Sequence, residues 1–152
     1  MTRIECVPAT AQDADFINGV YLENIAALHG APRSRGEWED LLTRRHTIYY
    51  NIVYTGKPVG WFRLDLEDDG VWLGMLQVKP ALHRRGIGRA AIAAAETMAR
   101  ARGASRLGIH TTEDNLPARA LYVACGYTLA EIGPCTTADG VERIGYTFCK
   151  NI

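Results

Sequence analysis

The chain has 152 residues, of which 47% are hydrophobic and 22% charged, and its 17 basic residues are balanced by 17 acidic ones. This length and composition predict one domain spanning residues 1–152, and the zero formal net charge argues against nucleic-acid binding, which usually needs a strongly basic domain. No segment has the roughly 20 consecutive apolar residues of a membrane-spanning helix, and the N-terminus lacks a signal-peptide pattern, so a cytoplasmic protein is expected.

The first third of the chain predicts one strand and two helices. Residues 3–8 are assigned to a strand. Helical spacing runs from Ala11 to Leu28, and it places four apolar side chains on one face, Phe16, Val20, Ile25 and Leu28. Residues 30–36 are rich in Gly, Pro and Ser and break this pattern. A short helix is expected from Glu37 to Thr43.

The middle of the chain predicts three strands joined by short turns. The strands are Thr47–Tyr54, Val59–Leu66 and Val71–Val78, and residues 56–58 and 67–70 form the turns. Consecutive strands with such short connections pair as an antiparallel meander.

Beyond residue 78, helices and strands alternate. The expected elements are a helix at Gly86–Arg102, a strand at Arg106–Thr111, a helix at Asn115–Cys125, and strands at Tyr127–Ile132 and Glu142–Cys149. The predicted fold class is therefore a mixed α/β (α+β) sheet, in which an antiparallel meander precedes β-α-β-α-β and helices cover both faces.

The four cysteines predict no metal site. Cys6, Cys125, Cys135 and Cys149 form no Cys-x-x-Cys pair, which is the usual spacing of zinc ligands. Their thiols are expected to be reduced and mostly buried.

A glycine-rich basic turn lies between the third meander strand and the next helix. Gly86 and Gly88 open that helix, where unpaired N–H groups and the helix dipole favour an anion. Arg84, Arg85 and Arg89 add cationic partners suited to phosphate. The turn predicts a phosphate or pyrophosphate site, although tight packing beside solvated arginines would give the same pattern.

A dinucleotide site is a second interpretation of the turn, because Gly86, Gly88 and Ala91 have the expected spacing. Two features argue against it. Residues 80–85 separate the strand from the glycines, and residues 108–110 lack the acid expected about 20 residues further on.

The segment His83-Arg84-Arg85-Gly86-Ile87-Gly88 resembles the main motif of the GNAT superfamily of N-acetyltransferases, Gln/Arg-x-x-Gly-x-Gly/Ala, with His83 as the departure. Residues 115–127 are similar to a second family segment, Asn-x-x-Ala-x-x-Leu-Tyr-x-x-x-Gly-Phe/Tyr, on Asn115, Leu121, Tyr122 and Gly126. The resemblance is clear over about residues 70–150.

The resemblance implies direct transfer of an acetyl group from acetyl-coenzyme A (acetyl-CoA) to an amine. It implies that the cofactor is bound by Leu76, Gln77, Val78, His83, Arg84, Arg85, Gly86, Ile87, Gly88, Arg89, Ala90, Asn115 and Tyr122. The backbone N–H of Val78 is the expected oxyanion donor. Tyr122 is the expected general acid, since a phenol pKa of about 10 exceeds the thiol value of about 8.5.

The general base is left open between four candidates. The acceptor amine must lose a proton before it attacks, and Asp65 and Glu67 on the third strand, His110 near the end of the next strand, or a water molecule could take it. The imidazole of histidine has a suitable ordinary pKa of about 6.5.

The resemblance also implies an acceptor site between residues 21–42 and the late strands. The polar or aromatic candidates there are His29, Arg33, Arg35, Glu37 and Trp38, with Trp61 and Arg63 on the sheet. The acceptor is expected to be a small-molecule or peptide amine, and a homodimer is possible. Two other functions stay open, namely a non-catalytic coenzyme A-binding module of this fold and a nucleotide-dependent oxidoreductase.

Overall fold

One seven-stranded sheet forms the centre of the protein in a computed structural model that describes residues 2–152. The strands are β1 (Glu5–Pro8), β2 (Thr47–Tyr54), β3 (Lys57–Glu67), β4 (Gly70–Val78), β5 (Arg106–Thr112), β6 (Thr128–Thr136) and β7 (Glu142–Asn151). Their spatial order is β1-β2-β3-β4-β5-β7-β6. Only β4 and β5 pair in parallel, so the predicted mixed sheet with an antiparallel meander is confirmed.

Four α-helices cover the two faces of this sheet. They are α1 (Ala14–Leu28), α2 (Arg35–Leu42), α3 (Ile87–Ala101) and α4 (Leu116–Ala124). Short 3-10 turns occupy residues 11–13 and 80–82. Within residues 2–152, no helix combines the length and the apolar character needed to cross a membrane.

Helices α1 and α2 pack on one face around a cluster of aromatic residues. Tyr21 and Trp38 stand edge-to-face at 5.2 Å, and Trp38 and Trp61 at 5.7 Å. The four apolar residues predicted on one face of α1 all contribute to this cluster, with Val20 fully buried and the other three partly buried. Ala14, Ile17 and Tyr21 are also fully buried. The helix begins later than predicted because Thr10 caps a separate turn at residues 11–13.

Helix α3 packs on the opposite face through small side chains. Ala91, Ala95 and Ala99 are completely buried against the sheet, and their size lets the helix backbone approach closely. The same helix buries Glu96, whose carboxylate accepts hydrogen bonds from Tyr127 Oη at 2.9 Å and Lys150 Nζ at 3.1 Å. This paired charge fixes α3 to β7, since a buried charge is tolerated only with partners.

Strand β4 contains a bulge and then separates from β5. Phe62 pairs with Leu76 and Leu64 with Leu73, so two β4 residues lie opposite Arg63 alone. Pairing with β5 is confined to residues 71–73 of β4. Residues 74–78 therefore have no β5 partner, and a gap opens in the middle of the sheet. Bulges bend a strand in this way and are common near active sites.

Candidate active site

A cavity of about 690 Å³ lies where β4 and β5 diverge. Its walls combine α1 and the loop after it, the second half of β4, the end of β5, α4, and the β6–β7 region. The residues that line it include Leu76, Gln77, His110, Asn115, Tyr122, Arg33, Arg63, Glu131 and Thr147. The sheet gap thus brings the end of β4 and the second predicted motif, on α4, together with the predicted acceptor region.

The backbone of β4 presents two amides to this gap. The N–H of Lys79 donates to the Val59 carbonyl at 2.9 Å, so Val78 and Gly60 form the antiparallel pair that exchanges no hydrogen bonds. By the same alternation Gln77 is hydrogen-bonded to Trp61, and Leu76 is not bonded to β3. The N–H groups of Leu76 and Val78 therefore point away from β3, toward the gap.

Val78 lies just beyond the cavity wall and is fixed through its carbonyl. The carbonyl oxygen accepts from Asn24 Nδ2 at 3.1 Å and from His83 Nε2 at 2.8 Å. His83, the departure from the family motif, therefore binds the end of β4 through its ring. Asn24 on α1 was not predicted, and a single asparagine within a helix gives no sequence signal for such a contact.

Tyr122 and Asn115 lie on the α4 side of the cavity. Asn115 caps α4, with Oδ1 accepting from the Ala118 N–H at 3.3 Å. The Tyr122 ring packs edge-on against Phe148 at 5.7 Å, and within residues 2–152 its hydroxyl has no hydrogen-bond partner. Burial, with a smaller contribution from Cys125, raises the pKa of Tyr122 to about 12. The phenol is therefore protonated at neutral pH and available as a donor.

The glycine turn lies beside α4, outside the cavity wall. Arg84 and Gly86 have positive φ angles of 63° and 82°. Gly86 begins α3 without a side-chain cap, and the first helical bond runs from the Ala90 N–H to the Gly86 carbonyl at 3.0 Å. The N–H groups of residues 87–89 consequently lack helical acceptors.

The turn has three exposed arginines, Arg84, Arg85 and Arg89. It also contacts two other segments of the chain. Arg89 reaches the Ala124 carbonyl at 3.4 Å, and the Thr2 hydroxyl donates to the Arg85 carbonyl at 2.7 Å. Free amides beside exposed cationic side chains form an anion-binding arrangement.

The three predicted side-chain bases have very different surroundings. Asp65 is paired with Arg63, with Oδ1 and Nε 2.6 Å apart. Burial lowers the pKa of Arg63, but the hydrogen bond to Asp65 and its charge outweigh this effect and raise it overall. Glu67 lies opposite Gly70, six residues or about 20 Å along β4 from Leu76.

His110 alone of these three lines the cavity. It follows Ile109, the last β5 residue paired with β4, so it lies where the strands begin to separate. Its ring stacks on Trp72 at 4.7 Å with an interplanar angle of 5°, and its Nδ1 is 2.9 Å from Thr147 Oγ1. These two contacts fix the position of the imidazole.

The predicted acceptor residues are divided between wall and core. Arg33 and Arg63 line the cavity, whereas Trp38 and Trp61 are completely buried beneath it. Arg35 and Glu37 are exposed, and His29 lies at the rim.

His29 joins three loops at the rim of the cavity. Its Nε2 is 2.7 Å from Asp114 Oδ2, and its carbonyl accepts from the Asp139 N–H at 3.1 Å. The opposite wall, at residues 131–138, was predicted only as the late strands, because no motif identifies its individual side chains.

Comparisons with solved structures agree with this architecture. The paia N-acetyltransferase of Thermoplasma acidophilum, in complex with coenzyme A, has a TM-score of 0.78 at 14% identity over 99% of both chains. The ribosomal-protein-S18-alanine N-acetyltransferase of Escherichia coli has a TM-score of 0.76 at 21% identity, covering 99% of this chain and 94% of that one.

A third solved structure is the Salmonella typhimurium acetyl transferase that modifies the N-terminal serine of ribosomal protein L7/L12. It has a TM-score of 0.83 at 18% identity, covering 100% of this chain and 96% of that one. At such identities these matches show a shared fold.

The family assignment comes from a separate comparison. No curated protein sequence matches the chain. The family model for the acetyltransferase (GNAT) family, however, matches residues 18–127, well over half of the chain, including both predicted motifs. The protein therefore belongs to the GNAT acetyltransferase family and is an acyltransferase.

Proposed function

We propose that this protein transfers the acetyl group of acetyl-CoA to a primary amine on a peptide or small molecule. The observation that carries the proposal is the gap between β4 and β5, which exposes strand amides opposite the unpaired hydroxyl of Tyr122. The solved structure in complex with coenzyme A that shares this fold also supports this choice of cosubstrate.

The residues of the gap and the glycine turn fit the two ends of such a cosubstrate. The unpaired strand backbone of Leu76 and Val78 offers hydrogen bonds to the amide groups of a pantetheine arm. The free amides of residues 87–89 and the exposed arginines suit its pyrophosphate. His83, bonded to the Val78 carbonyl, positions the start of the turn and is not itself a required phosphate ligand in this proposal.

Acetyl-CoA supplies an acetyl thioester that an amine can attack directly. The Val78 N–H is the proposed donor to the negative charge that develops on the thioester oxygen. The preceding carbonyl, that of Gln77, belongs to the hydrogen-bonded pair with Trp61. This bond holds the peptide unit in place and polarises its N–H toward the gap.

Two side chains are proposed to move protons. Tyr122 donates its phenolic proton to the departing sulfur, which its raised pKa permits because the phenol is fully protonated at neutral pH. His110 accepts the proton of the amine at Nε2, provided that Nδ1 carries the hydrogen shared with Thr147. Asp65 is already paired and Glu67 is remote, so His110 is preferred to both.

Binding should be tested before transfer. Calorimetry would measure the affinity of the wild type and of Gly86→Glu for acetyl-CoA and for NAD. We expect acetyl-CoA binding that falls at least roughly 100-fold in the variant, because the new side chain brings bulk and negative charge to the phosphate site.

The matched control is Gly103→Glu, since Gly103 has φ 84° against 82° for Gly86 and lies beyond the far end of α3. The two variants place a side chain at a similar positive φ and change the charge equally. A Cβ at Gly86 would also lie 2.7 Å from Thr2 Oγ1, whereas one at Gly103 meets nothing within 4 Å. Wild-type binding of NAD in place of acetyl-CoA would overturn the proposal. Binding without acetylation of any amine in a broad screen would favour a non-catalytic coenzyme A-binding module.

A further inference from the structure

Arg33 is a cation of the cavity wall that forms no ion pair with any carboxylate within residues 2–152. Its guanidinium forms no hydrogen bond or ion pair with any side chain of residues 2–152. The other wall arginine, Arg63, is neutralised by Asp65, and the nearby Arg35 contacts Asp15 at 2.9 Å and Glu39 at 3.1 Å. Arg33 therefore differs from its neighbours in having its charge available to the cavity.

The Arg33 guanidinium is nevertheless held in one place. Its Cζ lies 5.2 Å from the centroid of the Trp38 ring. That ring is completely buried, and its Nε1 donates to Asn18 Oδ1 at 2.9 Å. Arginine stacks well on an aromatic face and keeps its donors at the edge of the guanidinium plane for a planar anion.

The acid nearest in sequence has another role. Glu37 accepts from the Ser34 N–H at 3.1 Å and completes the cap of α2. Across the cavity, Glu131 on β6 is the only carboxylate in the described wall. The hydrogen bonds from Ser34 and, to a smaller extent, the charge of Arg33 lower the pKa of Glu37. Glu37 therefore offsets part of the Arg33 charge, but it forms no ion pair with the guanidinium.

The position of Arg33 sets how far an anion would lie from the reacting strand. Trp38 supports Arg33 at 5.2 Å and contacts Trp61 at 5.7 Å, and Trp61 is the β3 partner of Gln77. Arg33 therefore lies at most two such spacings from the Trp61 ring, on the strand that pairs with β4. An extended peptide advances about 3.3 Å per residue, so an acidic side chain on the third residue spans this separation.

We propose that Arg33 binds a carboxylate of a peptide acceptor, carried by an acidic side chain near the third residue from the acetylated amino terminus. The inference rests on the proposed function and gives the acceptor a chemical class. Arg33 acts in specificity, and the Asp- or Glu-containing peptide pairs with it through charge-assisted hydrogen bonds.

Two amidated tetrapeptides would test this inference, with alanine elsewhere and either aspartate or asparagine at the third residue. Calorimetry on the protein saturated with coenzyme A would give their affinities, and assays with acetyl-CoA would give kcat/KM. The wild type is expected to prefer the aspartate peptide by roughly tenfold or more. Arg33→Gln should remove this ratio by weakening only the aspartate peptide, and Arg33→Lys should keep part of it.

Arg35→Gln is the matched control, because it removes a guanidinium outside the cavity and should keep the full ratio. Equal affinity of the wild type for both peptides, or an unchanged ratio in Arg33→Gln, would overturn the role of Arg33. Binding that depends on Arg33 without acetylation would support the anion site and overturn peptide acetylation. Equal acetylation of both peptides would overturn the anion site alone.

Discussion

A conservative substitution at Tyr122 can separate the chemical role of its hydroxyl from the packing of its ring. Tyr122→Phe keeps the ring that stands against Phe148 and removes only the hydroxyl. If the phenol protonates the leaving sulfur, kcat should fall by roughly 100-fold, while the Kd for acetyl-CoA and the melting temperature stay close to those of the wild type. Steady-state kinetics and calorimetry would measure these quantities.

Tyr146→Phe provides the control for Tyr122, since Tyr146 also packs against Phe148 but lies outside the cavity wall. Its kcat should be unchanged. The pKa of Tyr122, raised to about 12, keeps the phenol protonated below that pH, so no loss of activity between pH 6 and about pH 9 should arise from this residue. Full activity of Tyr122→Phe would remove it from the mechanism.

A base at His110 makes a different prediction about pH. An imidazole accepts a proton only when neutral, so wild-type kcat/KM should have an acidic limb, along which the rate rises as the base loses its proton. His110→Gln should lower kcat/KM by roughly 100-fold and abolish this limb of the pH profile. Rates measured from pH 5.5 to about pH 9 would show it.

The control for His110 is His46→Gln, because His46 is an exposed imidazole outside the cavity wall. This variant should retain the limb. The charged groups on the same side of the sheet include Glu131, two strands away, Arg106 on the same strand, and the Arg63–Asp65 pair. Retention of the limb in His110→Gln would favour water or the acceptor itself as the source of the pH dependence.

At the scale of elements, the contact of β3 with β4 beneath the gap depends on Gly60. A Cβ built there would lie close to the Gln77 carbonyl oxygen and 3.0 Å from Val78 Cα, and backbone atoms in a paired strand cannot move aside easily. Gly60→Ala should therefore lower the free energy of unfolding by about 1–3 kcal/mol. Urea denaturation would measure it.

Gly19→Ala is the comparison, since Gly19 lies within α1 and has nothing within 4 Å of a built Cβ. It should raise the free energy of unfolding by about 0.5–1 kcal/mol, because alanine favours the helix. Gly60→Ala should also weaken acetyl-CoA binding by displacing the Val78 amide. A Gly60→Ala protein as stable as the wild type would contradict the close approach of β3 and β4.

Most elements could be predicted because each has a local pattern. Strand β2 has the predicted bounds, and the alanine-rich α3 begins one residue later than expected. The bulge at residues 74–75 and the divergence of β4 from β5 do not follow from local patterns. They depend on which residue of β4 pairs with which residue of β3 and β5, and strand alternation alone does not specify register.

For the molecule as a whole, residues of the site could be predicted from the sequence only where they lie close together in one short segment. Asn115 and Tyr122 are seven residues apart in one short segment, and both line the cavity. The contacts of Asn24 with Val78 and of His29 with Asp114 join residues 54 and 85 positions apart. Such pairs arise from tertiary packing, so no local sequence pattern indicates them.

The bulge in β4 has a consequence for both layers of helices. On β4, Val71 and Leu73 face the α3 side, and beyond the bulge Leu76 and Val78 face that same side. Odd-numbered residues thus give way to even-numbered ones on the face toward α3. The extra residue acts as a phase shift, so a deletion or insertion there would exchange inward and outward side chains over half of β4. The number of residues in this segment can therefore change only by an even number without exchanging the two faces of the strand. The amino-acid composition of the segment does not reveal this constraint.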